Sequence, residues 1–214
     1  MGGSKFVYEA CKHLSKRYKV IVITQESNLE VSNAFNQESI RIIDLELPTF
    51  TSLSFWFGFN RSLNRNAIKL KSLIQEDDLI LTSMFPMHCI ANRLGLEFAQ
   101  IIYEPFAMFH NKDYQNGQTF LVKIFCKLVS KLYSFADIDS VKNASKIMTL
   151  SSYEKNNCKK LYDVDSTIIY EGVDTDFFYP RDTVDLKKQF GEKRILLHST
   201  GFDSFKGTDF LIRS

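Results

Sequence analysis

No stretch of the 214 residues approaches the roughly 20 consecutive apolar positions that a membrane-spanning helix needs. The amino terminus also lacks the basic, then apolar, pattern of a secretory signal. A soluble or at most peripheral protein is the expectation. Proline is scarce, at 4 residues, and glycine, at 9, is too sparse for a collagen-like or low-complexity chain. Charge of one sign is missing too: 27 basic and 25 acidic residues leave a formal net charge of +2, too balanced to draw nucleic acid by a long-range field. The four cysteines (Cys11, Cys89, Cys126 and Cys158) are widely spaced without a CxxC pair, and three fall in apolar helical patterns. Reduced, buried thiols of a cytoplasmic protein are expected. His13, His88, His110 and His198 lie in unrelated segments, so no metal-ligand cluster and no metal are expected.

What is present is the composition of a globular chain, 44% hydrophobic and 24% charged, able to bury a sizeable core. At 214 residues it exceeds a typical domain of roughly 100–150 residues but falls short of two, so one domain and part of another are expected. Phe6, Val7, Ala10 and Leu14 recur at helical spacing to about Arg17. Val20 to Ile23 is then a continuous apolar run with β-branched residues, as in a parallel strand covered on both faces. Ile40 to Leu45, Leu79 to Thr82, Ala99 to Tyr103, Lys146 to Leu150 and Thr167 to Tyr170 are further strand candidates. Helical spacing fills the intervals with Leu63 to Ile74, Met87 to Leu94, Phe120 to Phe135, and Tyr153 to Leu161 capped by Ser152. Alternating strands and helices predict an α/β chain with a doubly wound, Rossmann-like parallel sheet.

Residues 1–170 thus read as one domain, with its first strand missing because the Gly2-Gly3 turn into a helix has only Met1 before it. Residues 171–193 read as a connection, with a short helix around Asp185 to Phe190. Residues 194–214 begin an incomplete second domain, with a strand over Arg194 to His198 and a helix opening at Gly207. A dehydrogenase-like dinucleotide site is disfavoured, since no GxGxxG turn with a suitably spaced acidic residue occurs.

Several motifs fall in order along the chain. Gly2-Gly3-Ser4 opens a helix, where exposed amides and the helix dipole suit a phosphate or sugar, or where a small-residue cap suffices. Ser151-Ser152-Tyr153 precedes Glu171-Gly172-Val173-Asp174, then Phe177-Phe178-Tyr179-Pro180, then Gly201 and Lys206-Gly207-Thr208-Asp209. This ordered set, spanning nearly the whole chain, resembles the family 4 glycosyltransferases of GT-B fold, over the N-terminal domain and the first elements of the C-terminal one. The resemblance implies retaining hexosyl transfer from a UDP- or GDP-sugar to a glycan, lipid-linked or other acceptor, with no cofactor and no metal. It also implies that the chain ends before the family's paired donor-site glutamates, so the chain is expected to be a fragment without full activity, with little or no turnover as it stands. A non-catalytic remnant or binding module of the same fold is the alternative.

Lys206 with the amides of Gly207 and Thr208 suits a leaving diphosphate, and Gly201, Gly2 and Gly3 complete the expected donor contacts; an ordinary surface lysine at a helix start is the other reading. The family's basic residue after the strand-ending glycine is replaced here by Phe202 or Asp203. Met84 to His88 and Tyr103 to Phe106 sit at strand carboxyl ends, where ligands bind in open α/β sheets. Glu104 matches the acidic residue of the family's Glu-Pro segment, with Tyr103 in place of histidine and His110 the nearest imidazole. These two are the catalytic candidates, against a capping glutamate and a surface histidine. Lys123, Lys127 and Lys131 recur beside Leu121, Phe125, Leu128 and Leu132, which suits either a helix lying on an anionic membrane at the inner face or a core helix with solvated lysines. Phe55, Trp56, Phe57 and Phe59 suit either acceptor contact or core packing.

Overall fold

A computed structural model describes residues 2–180, 188–191, 193, 194, 196, 198 and 207–213, with the side chains of residues 2–4 excepted. Its strands are β1 (Ile21–Thr24), β2 (Arg41–Asp44), β3 (Ile80–Thr82), β4 (Phe98–Ile102), β5 (Lys146–Thr149) and β6 (Thr167–Ile168). The helices are α1 (Gly2–Leu14), α2 (Leu29–Gln37), α3 (Leu53–Phe57), α4 (Phe59–Lys71), α5 (Met87–Leu94), α6 (Ala107–His110), α7 (Lys112–Asn116), α8 (Phe120–Lys142), α9 (Ser152–Tyr162) and α10 (Thr208–Arg213). Every strand pairing is parallel, and helices form the crossovers, as the alternation predicts.

The parallel array comes in two pieces, β1-β2 and β3-β4-β5-β6. Burial follows the pairing. β4, with a neighbour on each side, hides Phe98, Gln100, Ile101 and Ile102, whereas Ile21 of β1 and Leu81 of β3 are 37% and 43% exposed despite equally apolar surroundings in sequence. Among the described residues neither β1 nor β3 has a second strand partner. The pieces share one core, in which Ile23 of β1 and Leu45 and Leu47 beyond β2 meet Cys89, Ile90 and Leu94 of α5. Helix α1 ties them as well, with Tyr8 edge-on to Phe35 of α2 and Phe6 edge-on to Tyr103 beyond β4.

The aromatic run settles on the core side: Phe55, Trp56 and Phe59 are buried, and only Phe57 faces water. Trp56 donates its indole N–H to the Phe50 carbonyl at 2.6 Å, and Tyr133 of α8 donates to the Trp56 carbonyl at 2.7 Å, so the polar tips of both are satisfied. Helix α9 differs from expectation at its start. Ser151, not Ser152, is the cap, its hydroxyl accepting from the Glu154 amide at 3.1 Å in a Ser-x-x-Glu arrangement. Helix α8 runs a further seven residues past Phe135, the expected end. Most of the expected helix around Asp185 and part of the strand Arg194 to His198 lie outside the described residues, as do Gly201, Phe202, Asp203 and Lys206. No helix among the described residues is long and apolar enough to cross a membrane. Cys89, Cys126 and Cys158 are buried, Cys11 is half-buried, and none is in a disulfide.

Candidate functional site

The carboxyl ends of β3, β4, β5 and β6 carry the residues of interest, and aromatic packing stiffens the first two loops. Phe85, after β3, stacks on Phe106, after β4, with ring centroids 4.4 Å apart, and both also meet Phe109. Glu104 sits in the second loop, exposed. Glu154, in the first turn of α9, lies close enough to sense it. Burial raises the Glu154 carboxyl pKa above its ordinary value, a hydrogen bond from Asn157 opposes this, and the negative charge of Glu104 adds to the rise. Tyr103, where the family resemblance expects histidine, has a buried hydroxyl without a partner among the described residues. Burial, with the nearby charges of Glu171 and Cys11, pushes its pKa up to about 12. Glu104, Glu154 and Glu171 thus lie in the segments that follow β4, β5 and β6, and a proton on Glu154 is held to higher pH than on a free glutamate.

His110 is not a surface histidine. Its side chain is 8% exposed, and its Nε2–H donates to Asp137 Oδ2 at 2.7 Å. His88 of α5 donates from Nε2 to the other oxygen of the same carboxylate at 2.8 Å, and the Tyr162 hydroxyl of α9 donates to Oδ2 at 3.0 Å. Two histidines that lie in unrelated segments of the sequence thus meet on one buried aspartate. Because Asp137 accepts at both oxygens, Nε2 is the protonated nitrogen on each ring, and Nδ1 of His110 has no hydrogen-bond partner among the described residues.

The electrostatics follow from burial set against pairing. Desolvation pushes Asp137 up, but the hydrogen bonds and charge of His110 and His88 outweigh it and hold the carboxyl well below the usual range. Desolvation likewise works against a charged His88, yet the adjacent Cys89 sulfur and the Asp137 carboxylate overcome it and raise its pKa. Burial and the Asp137 charge push the Tyr162 phenol up, so it stays a donor. One carboxylate on α8 fastens α5, α6 and α9. The loop bearing Glu104 runs from β4 straight into α6, so this clamp also sets where Glu104 sits.

The other expected site residues divide. Gly2 and Gly3 form the first residues of α1, and the Phe6–Tyr103 contact (5.6 Å) places that helix start beside the Glu104 loop. Gly207 is described, with φ +72°, directly before α10, where His198 Nε2 and Thr208 Oγ1 are 2.9 Å apart. Gly201 and Lys206 lie outside the described residues. Asp174 of the Gly-Val-Asp segment accepts from the amides of Asp176 and Phe177, both at 3.1 Å, and so makes an exposed turn. Lys127 and Lys131 are exposed and Lys123 is half-buried. No cluster of metal ligands occurs among the described residues. A groove lined by Asn60, Asn92, Arg93, Asp139 and Asn143 lies by the last turns of α5 and α8, at the strands' amino ends, where Asn92 and Asn143 already use their amides on Asp139 and on each other.

Sequence reading missed Asp137, His88 as its partner, Tyr162 and Glu154. A signal existed for Asp137: an aspartate four residues after Tyr133 and four before Val141, on the inward face of a helix, has to find buried donors. No curated protein and no solved structure matches the chain. The model of Glycosyltransferase Family 4 matches residues 1–177, which covers every element from α1 to β6, the Glu104 loop and the Asp137 clamp. The chain therefore belongs to glycosyltransferase family 4.

Proposed function

We propose that this chain is the acceptor-side platform of a retaining hexosyltransferase that uses a nucleotide-diphosphate sugar and a glycan or lipid-linked acceptor. The observation that carries this reading is the convergence, at the strand carboxyl ends, of the α1 start, the Glu104 loop and the α9 start, with His110 clamped on the helix into which the Glu104 loop runs. In transfer, the acceptor oxygen forms its bond to the anomeric carbon as the bond to the diphosphate oxygen breaks. The diphosphate takes the electron pair and receives the hydroxyl proton, so no strong protein nucleophile is required. Positioning and charge stabilisation supply the rate. Glu104 accepts a hydrogen bond from the acceptor hydroxyl, and His110, held by Asp137, fixes the helix into which the Glu104 loop runs. Lys206 and the backbone at Gly201, Gly207, Gly2 and Gly3 grip the diphosphate. Residues 171–193 connect this platform to a donor-binding part that begins at residue 194. No metal enters this scheme.

The test combines turnover with binding. Nucleotide release from UDP- and GDP-hexoses in the presence of octyl glycosides is expected to be slow, and should fall at least about tenfold further in Glu104→Gln and in Lys206→Ala. Saturation-transfer NMR should show octyl glycoside contact weakened by Glu104→Gln with the thermal midpoint unchanged. Equal turnover by the wild type and Lys206→Ala would remove the donor assignment, and unchanged glycoside contact in Glu104→Gln would remove the acceptor one.

A further inference from the structure

Helix α8 presents an unusual outward face. At 3.6 residues per turn, Leu121, Ile124, Leu128, Leu132 and Phe135 fall within an arc of about 80° and extend along about 21 Å of helix. They are 77%, 49%, 55%, 59% and 75% exposed, and Phe120 at the helix start is 75% exposed. The opposite face holds Cys126, Val129 and Asp137, all buried, so the helix is already fully packed on its inner side. Lys127 and Lys131 project along one border of the apolar arc, with Lys123 behind them. Among the described residues none of the three forms an ion pair. Between Phe120 and Ala136 the helix carries no Asp or Glu at all.

We infer that α8 lies flat on an anionic lipid surface, with Leu121, Ile124, Leu128, Leu132 and Phe135 dipping into the acyl boundary and Lys127 and Lys131 contacting lipid phosphates. The chemistry selects this occupant. Five apolar side chains in one narrow stripe need an apolar phase, and a lysine border without carboxylates needs an external anion. A second copy of α8 satisfies only the first demand. In an antiparallel two-fold pair the lysine borders fall on the same side and repel, and in a parallel pair each meets a flank that offers no carboxylate. The helix is 23 residues long but interrupted by lysines, so it rests on the bilayer and does not cross it. The inference is independent of the sugar-transfer reading, and either stands if the other fails.

Flotation of the full chain with phosphatidylcholine vesicles, with and without phosphatidylglycerol, tests it directly. The protein should rise with the anionic vesicles, bind pure phosphatidylcholine at least about tenfold more weakly, and be released as salt is raised. Lys127→Glu with Lys131→Glu should weaken binding at least about tenfold, since each lysine near such a surface is worth roughly fivefold. Leu128→Glu with Leu132→Glu should also abolish flotation. These positions are exposed, so circular dichroism and the thermal midpoint should match the wild type. In a Phe135→Trp variant, anionic vesicles should shift the Trp emission to the blue. Failure to float with anionic vesicles overturns the proposal. Flotation that survives both double substitutions overturns it as well. A dimer in solution that Leu128→Glu with Leu132→Glu dissociates, without vesicle binding, would show that the stripe serves a second copy instead.

Discussion

Asp137 is the residue on which most depends, because a carboxylate 2% exposed is tolerable only while its donors stay in place. Replacement by Asn keeps the size but removes the charge that both histidines face. Asp137→Asn should cost about 3–5 kcal/mol, measured by urea unfolding at neutral pH. The pH dependence has a definite sign. His88, whose pKa is raised, contributes stability that is complete below its ordinary value of 6.5 and fades as pH climbs toward about 10. Asp137, whose pKa is lowered, contributes stability present above its ordinary value of 3.8 and lost on acidification below it. Stability of the wild type should therefore decline on both sides, and the alkaline decline should be shallower in Asp137→Asn, since Asp137 supplies part of the rise in the His88 pKa; an unchanged alkaline limb would mean that Asp137 does not hold a charged His88. A second residue-scale effect concerns Glu154. Since the charge of Glu104 contributes to its raised pKa, Glu104→Gln should lower the Glu154 pKa, as followed by carboxyl carbon NMR. No change would mean the two carboxylates are not neighbours in solution.

Among the elements, α5 and α9 show how local chemistry sets boundaries. Gly95 ends α5 with φ +69° and has nothing within 4 Å of the position a Cβ would take. Only backbone conformation then opposes a side chain there. Gly95→Ala should cost about 1–2 kcal/mol in thermal or urea unfolding, and a cost near zero would show that the αL cap is not kept in solution. The start of α9 was legible to within one residue, since a serine cap is a local signal, but which of Ser151 and Ser152 caps the helix was decided by the backbone. Helix α2 was not legible, since only Phe35 of its nine residues is buried and Leu29 is 78% exposed, which leaves no apolar stripe to read. The aromatic segment shows the reverse difficulty: Phe55, Trp56, Phe57 and Phe59 look alike in sequence, and only the packing around Phe85 and Tyr133 separates the three buried rings from the exposed one.

For the molecule as a whole, the division of the parallel array predicts uneven local stability. Amides of β4, paired on both sides and buried, should exchange with solvent at least about tenfold more slowly than those on the unshared edges of β1 and β3. Hydrogen exchange followed by NMR or mass spectrometry reads this, and protection of Ile21 to Thr24 equal to that of β4 would mean that β1 gains a second strand in solution. The α/β class, the order of the six described strands, and the family motifs from Gly2 to Asp174 were determined by the sequence alone, because periodicity and turns are properties of neighbouring residues. The clamp was decided only by tertiary structure: His88, His110 and Tyr162 stand 49, 27 and 25 residues from Asp137 and meet it only once the crossovers bring α5, α6 and α9 against α8. The outward face of α8 was decided in the same way. A helical repeat of leucines specifies a stripe, but which stripe meets the core depends on the residues that pack against it, and here Cys126, Val129 and Asp137 turned inward and left Leu121, Leu128 and Phe135 to the solvent.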